Sequence, residues 1–183
     1  MELAVLLPIM AFIALAAGLV VVLRGTGRIV ARARELEGFR ATVKDLASRI
    51  DASLGGAVGQ IDAVRRRQIG PDTITDTIAA ATDAVERYAE EAKALRGPRP
   101  THQIRSDLVA DLERAHRALG MVEHGATTLA AARRGPRELE GQTSIKRGYL
   151  NLIHAREAIA RHALAAQELE VGDGAEKAGR WSA

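Results

Sequence analysis

The side chains best suited to metal or proton chemistry in this chain are its five histidines, His102, His116, His124, His154 and His162. A metal held by one helix needs ligands three or four residues apart, so that both point to one side. His116 and His124 are eight apart, as are His154 and His162, which turns the second ring about 80° from the first. His154 and Glu157 have suitable spacing, but no second copy of the pair completes a site. There is no HExxH. His162 falls on an apolar seam, where a hydrogen-bonded core histidine is the expectation.

Nucleophilic chemistry has no better basis. Ser48, Ser53, Ser106 and Ser144 occur without a GxSxG and without a strand–turn–helix elbow. The chain has no cysteine, which excludes disulfides, zinc-thiolate sites and thiol nucleophiles. Gly55, Gly56 and Gly59 lack the preceding strand and the following Lys-Ser/Thr of a phosphate loop. With 26 basic and 23 acidic side chains the net charge is only +3, so bulk charge does not mark a nucleic-acid binder. The aromatic supply is Phe12, Phe39, Tyr88, Tyr149 and Trp181, which provides no platform for stacking bases or sugars. No catalytic residue, metal, cofactor, nucleic-acid partner or small-molecule substrate is therefore predicted, and an enzyme is the least supported class.

The element that must position everything else is the uncharged run from Leu3 to Leu23, interrupted in its apolar character only by Pro8 and Gly18. As a helix it is about 31 Å long, the thickness of a hydrocarbon core. The competing reading is a cleaved secretory signal, with Ala14-Leu15-Ala16 near a cleavage site. Only Glu2 precedes the run, the apolar core continues through Val20-Val21-Val22-Leu23, and no cysteine follows for lipidation, so an uncleaved anchor is expected. Arg24, Arg28, Arg32 and Arg34 follow it and no base precedes it. The positive-inside rule then predicts a single-pass protein of the inner (cell) membrane, N-terminus outside and helical domain in the cytoplasm. Those four arginines are candidate contacts for anionic lipid.

Beyond a short linker at residues 25–28, apolar positions recur every seven residues at Ile29, Leu36, Val43, Ile50, Ala57 and Val64, with a flanking row at Phe39, Leu46, Ala47, Leu54 and Ile61. This is the seam of a coiled-coil-like helix over about residues 29–69. Gly55, Gly56 and Gly59 each cost about 1 kcal/mol against Ala in a helix. They predict either a bend, as candidate hinges, or a helix packed very close. Gly70-Pro71 ends the segment, and further helices are predicted at about 72–96, 101–134 and 138–171, divided at Gly97-Pro98-Arg99-Pro100 and Gly135-Pro136. From Arg24 to Ile69 ten bases outnumber five acids (+5), and from Gly70 to Leu95 six acids outnumber two bases (−4), so the first two helices should attract when antiparallel. No strand pattern occurs. The predicted fold is all-α: a transmembrane helix at 1–24, an antiparallel bundle of three to four long amphipathic helices at 29–171, and a disordered tail at 172–183.

Two stretches invite a functional reading. Arg65-Arg66-Arg67 either binds anionic groups or matches the negative end of its own helix, and the second is favoured because the bilayer is a long helix away. The chemically mixed stretch Gln142 to Glu157 carries Lys146, Tyr149, Asn151, His154 and Arg156 beside a good seam. That set is a candidate face for a protein partner, against the alternative of an ordinary bundle interior. At residues 60–74, Gln60-Ile61-Asp62, the arginine cluster and then Pro71 opening an amphipathic helix resemble the Gln-Ile-Asp, Lys/Arg-Arg, Pro-Asn-Leu succession of the LemA family, with Asp72 in place of the Asn. The resemblance implies a membrane-tethered bundle of long antiparallel helices. The expected function is a membrane-anchored scaffold or protein-interaction module, self-associating through the long heptad segment. The alternative is a sensor subunit that transmits a change through the anchor and first helix.

Overall fold

The computed structural model describes residues 3–131 and 135–170, with backbone alone for 3–14 and 16–29. The expected tail, 172–183, lies outside the described residues, as do 132–134 of the third predicted helix. All regular structure among the described residues is helical: α1 (Leu3–Arg65), a single 3₁₀ turn (Pro71–Ile74), α2 (Thr75–Ala94), α3 (Thr101–Ala131) and α4 (Pro136–Glu168). Two units are distinguished, one holding α1 up to Glu37 and the other Gly38–Glu170. Among the described residues no helix is long and apolar enough to cross a membrane. The expected span, Leu3–Leu23, is helical, but its side chains, Leu15 apart, are outside the described set.

Two expectations for the first helix need correction. The linker at 25–28 is helical, because α1 runs through it. There is likewise no break at Gly55, Gly56 or Gly59. A Cβ at Gly56 or Gly59 would meet nothing within 4 Å, and one at Gly55 only the end of Arg156, so these glycines are neither hinges nor a close-packing site. The reason is burial on the other side of the helix: Leu54, Ala57 and Ile61 are locked in the core, and that outweighs a propensity cost of about 1 kcal/mol per glycine.

The unit Gly38–Glu170 is an up-down-up-down bundle whose helices form a ring in chain order. Arg49 meets Glu91 and Gln60 meets Thr77 from α1 to α2, His116 meets Glu86 from α2 to α3, His162 meets Asp111 from α3 to α4, and Arg156 meets Asp51 from α4 back to α1. Second contacts at the other joints, Arg105 with Leu95, Ser144 with Met121 and Gln167 with Arg40, show positions rising on one helix as they fall on its neighbour, so all four joints are antiparallel. The core receives Phe39, Val43, Leu46, Ile50, Leu54, Ala57, Ile61 and Val64 from α1. From Phe39 to Val64 the heptad seam is therefore consumed inside the chain's own bundle, and that part of it offers no surface for self-association. The opposite charges of α1 and α2 meet in Arg49–Glu91, 2.6 Å apart, beside Tyr88, whose hydroxyl lies 2.9 Å from Ser53 Oγ.

Close helix packing occurs instead between α3 and α4. A Cβ on Gly125 would stand 2.8 Å from the Gly141 carbonyl oxygen, one on Gly141 2.9 Å from the Gly125 carbonyl, and one on Gly148 2.7 Å from the Ala118 carbonyl. Backbone touches backbone there, and only glycine leaves the room. Gly125→Ala is expected to cost about 1–3 kcal/mol by forcing the two helices apart, whereas Gly56→Ala, facing open space, is expected to stabilise by up to about 1 kcal/mol. Urea-midpoint shifts of opposite sign in the two variants would confirm the assignment, and shifts of one sign would refute it.

Candidate functional site

The end of α1 is where the most distinctive backbone and the most basic sequence coincide. The last turn closes with Arg67 N–H donating to the Val64 carbonyl at 2.9 Å and Gln68 N–H to the Ala63 carbonyl at 2.8 Å. This is a Schellman arrangement, and it places Arg67 at φ 60°, the left-handed conformation normally given to glycine. Gly70 and Pro71 then start the 3₁₀ turn, with Pro71 where no backbone N–H is needed. Thr73 and Thr75 do not cap this start as side-chain acceptors; their hydroxyls donate to the Gly70 and Asp72 carbonyls.

Between this corner and the facing ends of α3 and α4 lies a cavity of about 620 Å³. Val64, Ile69, Pro71, Leu129 and Ile145 supply an apolar lining, and Arg65, Arg67, Lys146 and Glu138 supply the charge. Much of that charge is already matched. Asp62 accepts from Arg65 at 2.6 Å and from Arg66 at 2.7 Å, and Arg67 reaches Glu138 at 3.4 Å. The hydrogen bond from Arg65, followed by the charge of Arg66, holds the Asp62 carboxyl below its ordinary value. The same bond raises Arg65, whose guanidinium also lies 4.7 Å from the centre of the Tyr149 ring. Chemically this is a cationic rim over an apolar floor. It can seat an acidic or amphipathic group, and it presents no nucleophile beside a base.

The residues singled out on α4 do not form one face. Lys146 stands at the rim of this cavity, Tyr149 lies half-buried beneath Arg65, and Arg156 is bound to Asp51 at 2.7 Å, all toward α1. Asn151 points toward α3 instead, with its amide 3.7 Å from Met121 Sδ, and His154 is exposed. Tyr149 and Arg156 thus serve the joint between α4 and α1. His162 is a hydrogen-bonded histidine at the core edge, 2.8 Å from Asp111, which is itself only 6% exposed and also paired with Arg114. Among the arginines after the apolar run, Arg32 and Arg34 are exposed, while the side chains of Arg24 and Arg28 lie outside the described residues. No group of three or more potential metal ligands occurs among the described residues. Reading by periodicity missed Gly125 and Gly141 as contact residues. The available signal was their register with the apolar rows, Gly125 three residues after Val122 and Gly141 four residues before Ile145.

Holding a β-carbon in the left-handed region costs about 1–2 kcal/mol. Arg67→Gly is therefore expected to be more stable than Arg67→Ala by about 1 kcal/mol, since both lose the pair with Glu138 and only Ala keeps the steric conflict. Equal thermal midpoints for the two variants would contradict it.

Comparison of the chain with protein-family models, with curated proteins and with solved structures finds no match to any of them.

Proposed function

We propose that this chain is a membrane-anchored interaction module: the run Leu3–Leu23 spans the inner (cell) membrane once, the N-terminus lies outside, and the bundle acts in the cytoplasm by binding rather than by catalysis. The observation that carries this reading is the continuity of α1 from Leu3 to Arg65. One helix contains both an uncharged run of membrane-spanning length and eight side chains of the bundle core, so attachment and the folded domain share a single element. The basic positions that follow the run support the orientation, and exposed Arg32 and Arg34 can each add about 1 kcal/mol of attraction to an anionic surface. The succession Gln60-Ile61-Asp62, Arg65-Arg66-Arg67, Pro71 adds the resemblance to the tethered LemA bundles. In this chain Asp62 pairs with Arg65 and Arg66 at the end of α1, and Arg65, Arg67 and Pro71 line the basic corner.

The test is carbonate extraction of membranes from cells expressing the full chain. The protein should stay in the pellet, and a chain lacking residues 1–23 should not. A full chain released into the carbonate supernatant would sink the proposal. Orientation is read separately with His154→Cys, an exposed site in a chain without natural cysteine. It should resist a membrane-impermeant maleimide in intact cells and react after lysis, and labelling in intact cells would invert the topology.

A further inference from the structure

The outer side of α4 carries a second apolar row that the bundle does not use. Leu139, Leu150 and Leu164 are 67%, 44% and 66% exposed. At about 100° per residue they fall within about 40° of one another around the helix, while Ile145, Leu152 and Ile159 of the core lie about half a turn away. From Leu139 to Leu164 the row follows alternating steps of four and three residues, the spacing of a coiled-coil seam. Every position on it is exposed except half-buried Ile153.

The row is also a palindrome in chemistry. Folded about a point between Leu150 and Ile153, it pairs Leu150 with Ile153, Lys146 with Glu157, Thr143 with Ala160, and Leu139 with Leu164. Lys146 and Glu157 make no ion pair within the bundle among the described residues. Exposed Glu140 and Arg161, opposite in sign, flank the two ends of the row, two residues out of register with that operation. Grooves flank the two ends on opposite sides of α4: one of about 580 Å³ toward α3 at Leu139 and Thr143, the other of about 470 Å³ toward α1 at Ala160 and Leu164.

From this symmetry we infer that the occupant of the outer α4 face is a second copy of this chain, docked antiparallel about a two-fold axis between Leu150 and Ile153. In an isologous contact residue i meets j and j meets i, so the one Lys146–Glu157 layer supplies two ion pairs and the Leu150–Ile153 and Leu139–Leu164 layers are apolar on both sides. Charge selects the direction. Parallel pairing in register would set Lys146 against Lys146 and Glu157 against Glu157, whereas the antiparallel register forms two Lys–Glu pairs. The leucines at the two ends, Leu139 and Leu164, meet each other across the pair. Because Arg40 and Gln167 join the start of this unit to the C-terminal end of α4, the pairing puts the two Gly38 ends at opposite ends of the dimer. The proposal concerns the unit Gly38–Glu170 and rests only on the binding part of the reading above, not on membrane attachment.

The experiment is sedimentation of the full chain in detergent micelles across a range of protein concentrations, with charge reversals as probes. Wild type should be dimeric. Lys146→Glu and Glu157→Lys should each weaken association at least tenfold, and the double reversal should restore it. Both positions are exposed, and unchanged circular dichroism verifies folding. Register is read by mixing Lys146→Cys with Glu157→Cys: a disulfide between the two variants, absent from either alone, is expected. A chain that is monomeric throughout would leave the ridge to some other protein and overturn the inference. So would single reversals without effect, or a Lys146→Cys chain that crosslinks to itself. Carbonate pelleting is untouched by these variants, so failure of pairing and failure of anchoring are separately visible.

Discussion

Burial of one long seam governs this bundle. Phe39, Val43, Leu46, Ile50, Leu54, Ala57, Ile61 and Val64 lie on one stripe of α1, and all are at most 3% exposed. At about 1.5–3 kcal/mol for each large apolar side chain, leaving that stripe in water would cost more than a domain's net stability. A helix pair buries one side of such a stripe, and covering it fully takes the whole ring. α2 can lie close because four of its inward residues, Ala81, Ala84, Ala89 and Ala92, are small. α3 and α4 close the remaining side because glycine lets their backbones meet.

Polar groups then fix the rotation of each helix about its axis. Buried Asp111 is satisfied only when His162 of α4 and Arg114 of its own helix both reach it, which one setting of α3 against α4 allows. Tyr88 is held to Ser53, and Tyr149 is covered by Arg65, so the two tyrosines of the chain each mark a joint with α1. The exposed ion pairs along these joints add little energy, at about 0–1 kcal/mol each. Their contribution is to disfavour wrong registers, where like charges would face one another. The basic corner shows the same economy, with three arginines sharing Asp62 and Glu138 around a backbone turn that an arginine adopts at a steric cost.

α4 is apolar on two opposite sides. Its inner row is spent on the bundle, and its outer row is a ridge of leucines interrupted by a lysine and a glutamate. A helix meant only to finish a bundle carries polar residues on its solvent side. Charges set within such a ridge weaken pairing and make it selective.

The amino-acid sequence by itself determined the helices and, from Gly70 on, the breaks between them: seams of apolar residues three and four apart, the stops at Gly70-Pro71, Gly97-Pro98-Arg99-Pro100 and Gly135-Pro136, and the absence of any strand pattern. These are local properties, carried by neighbours along one turn or by a residue's own backbone limits. The heptad row of α1 was legible for the same reason, but what covers it was not, since a seam looks alike whether it meets another chain or its own. Whether Gly55 and Gly56 or Gly125 and Gly141 sit at a close contact depends on the distance between helix axes, and glycine looks the same in both places. The division of Tyr149, Asn151, His154 and Arg156 among α1, α3 and solvent depends on how far α4 is rotated. Only the tertiary structure decides distance and rotation, because both are set by all four helices packing at once.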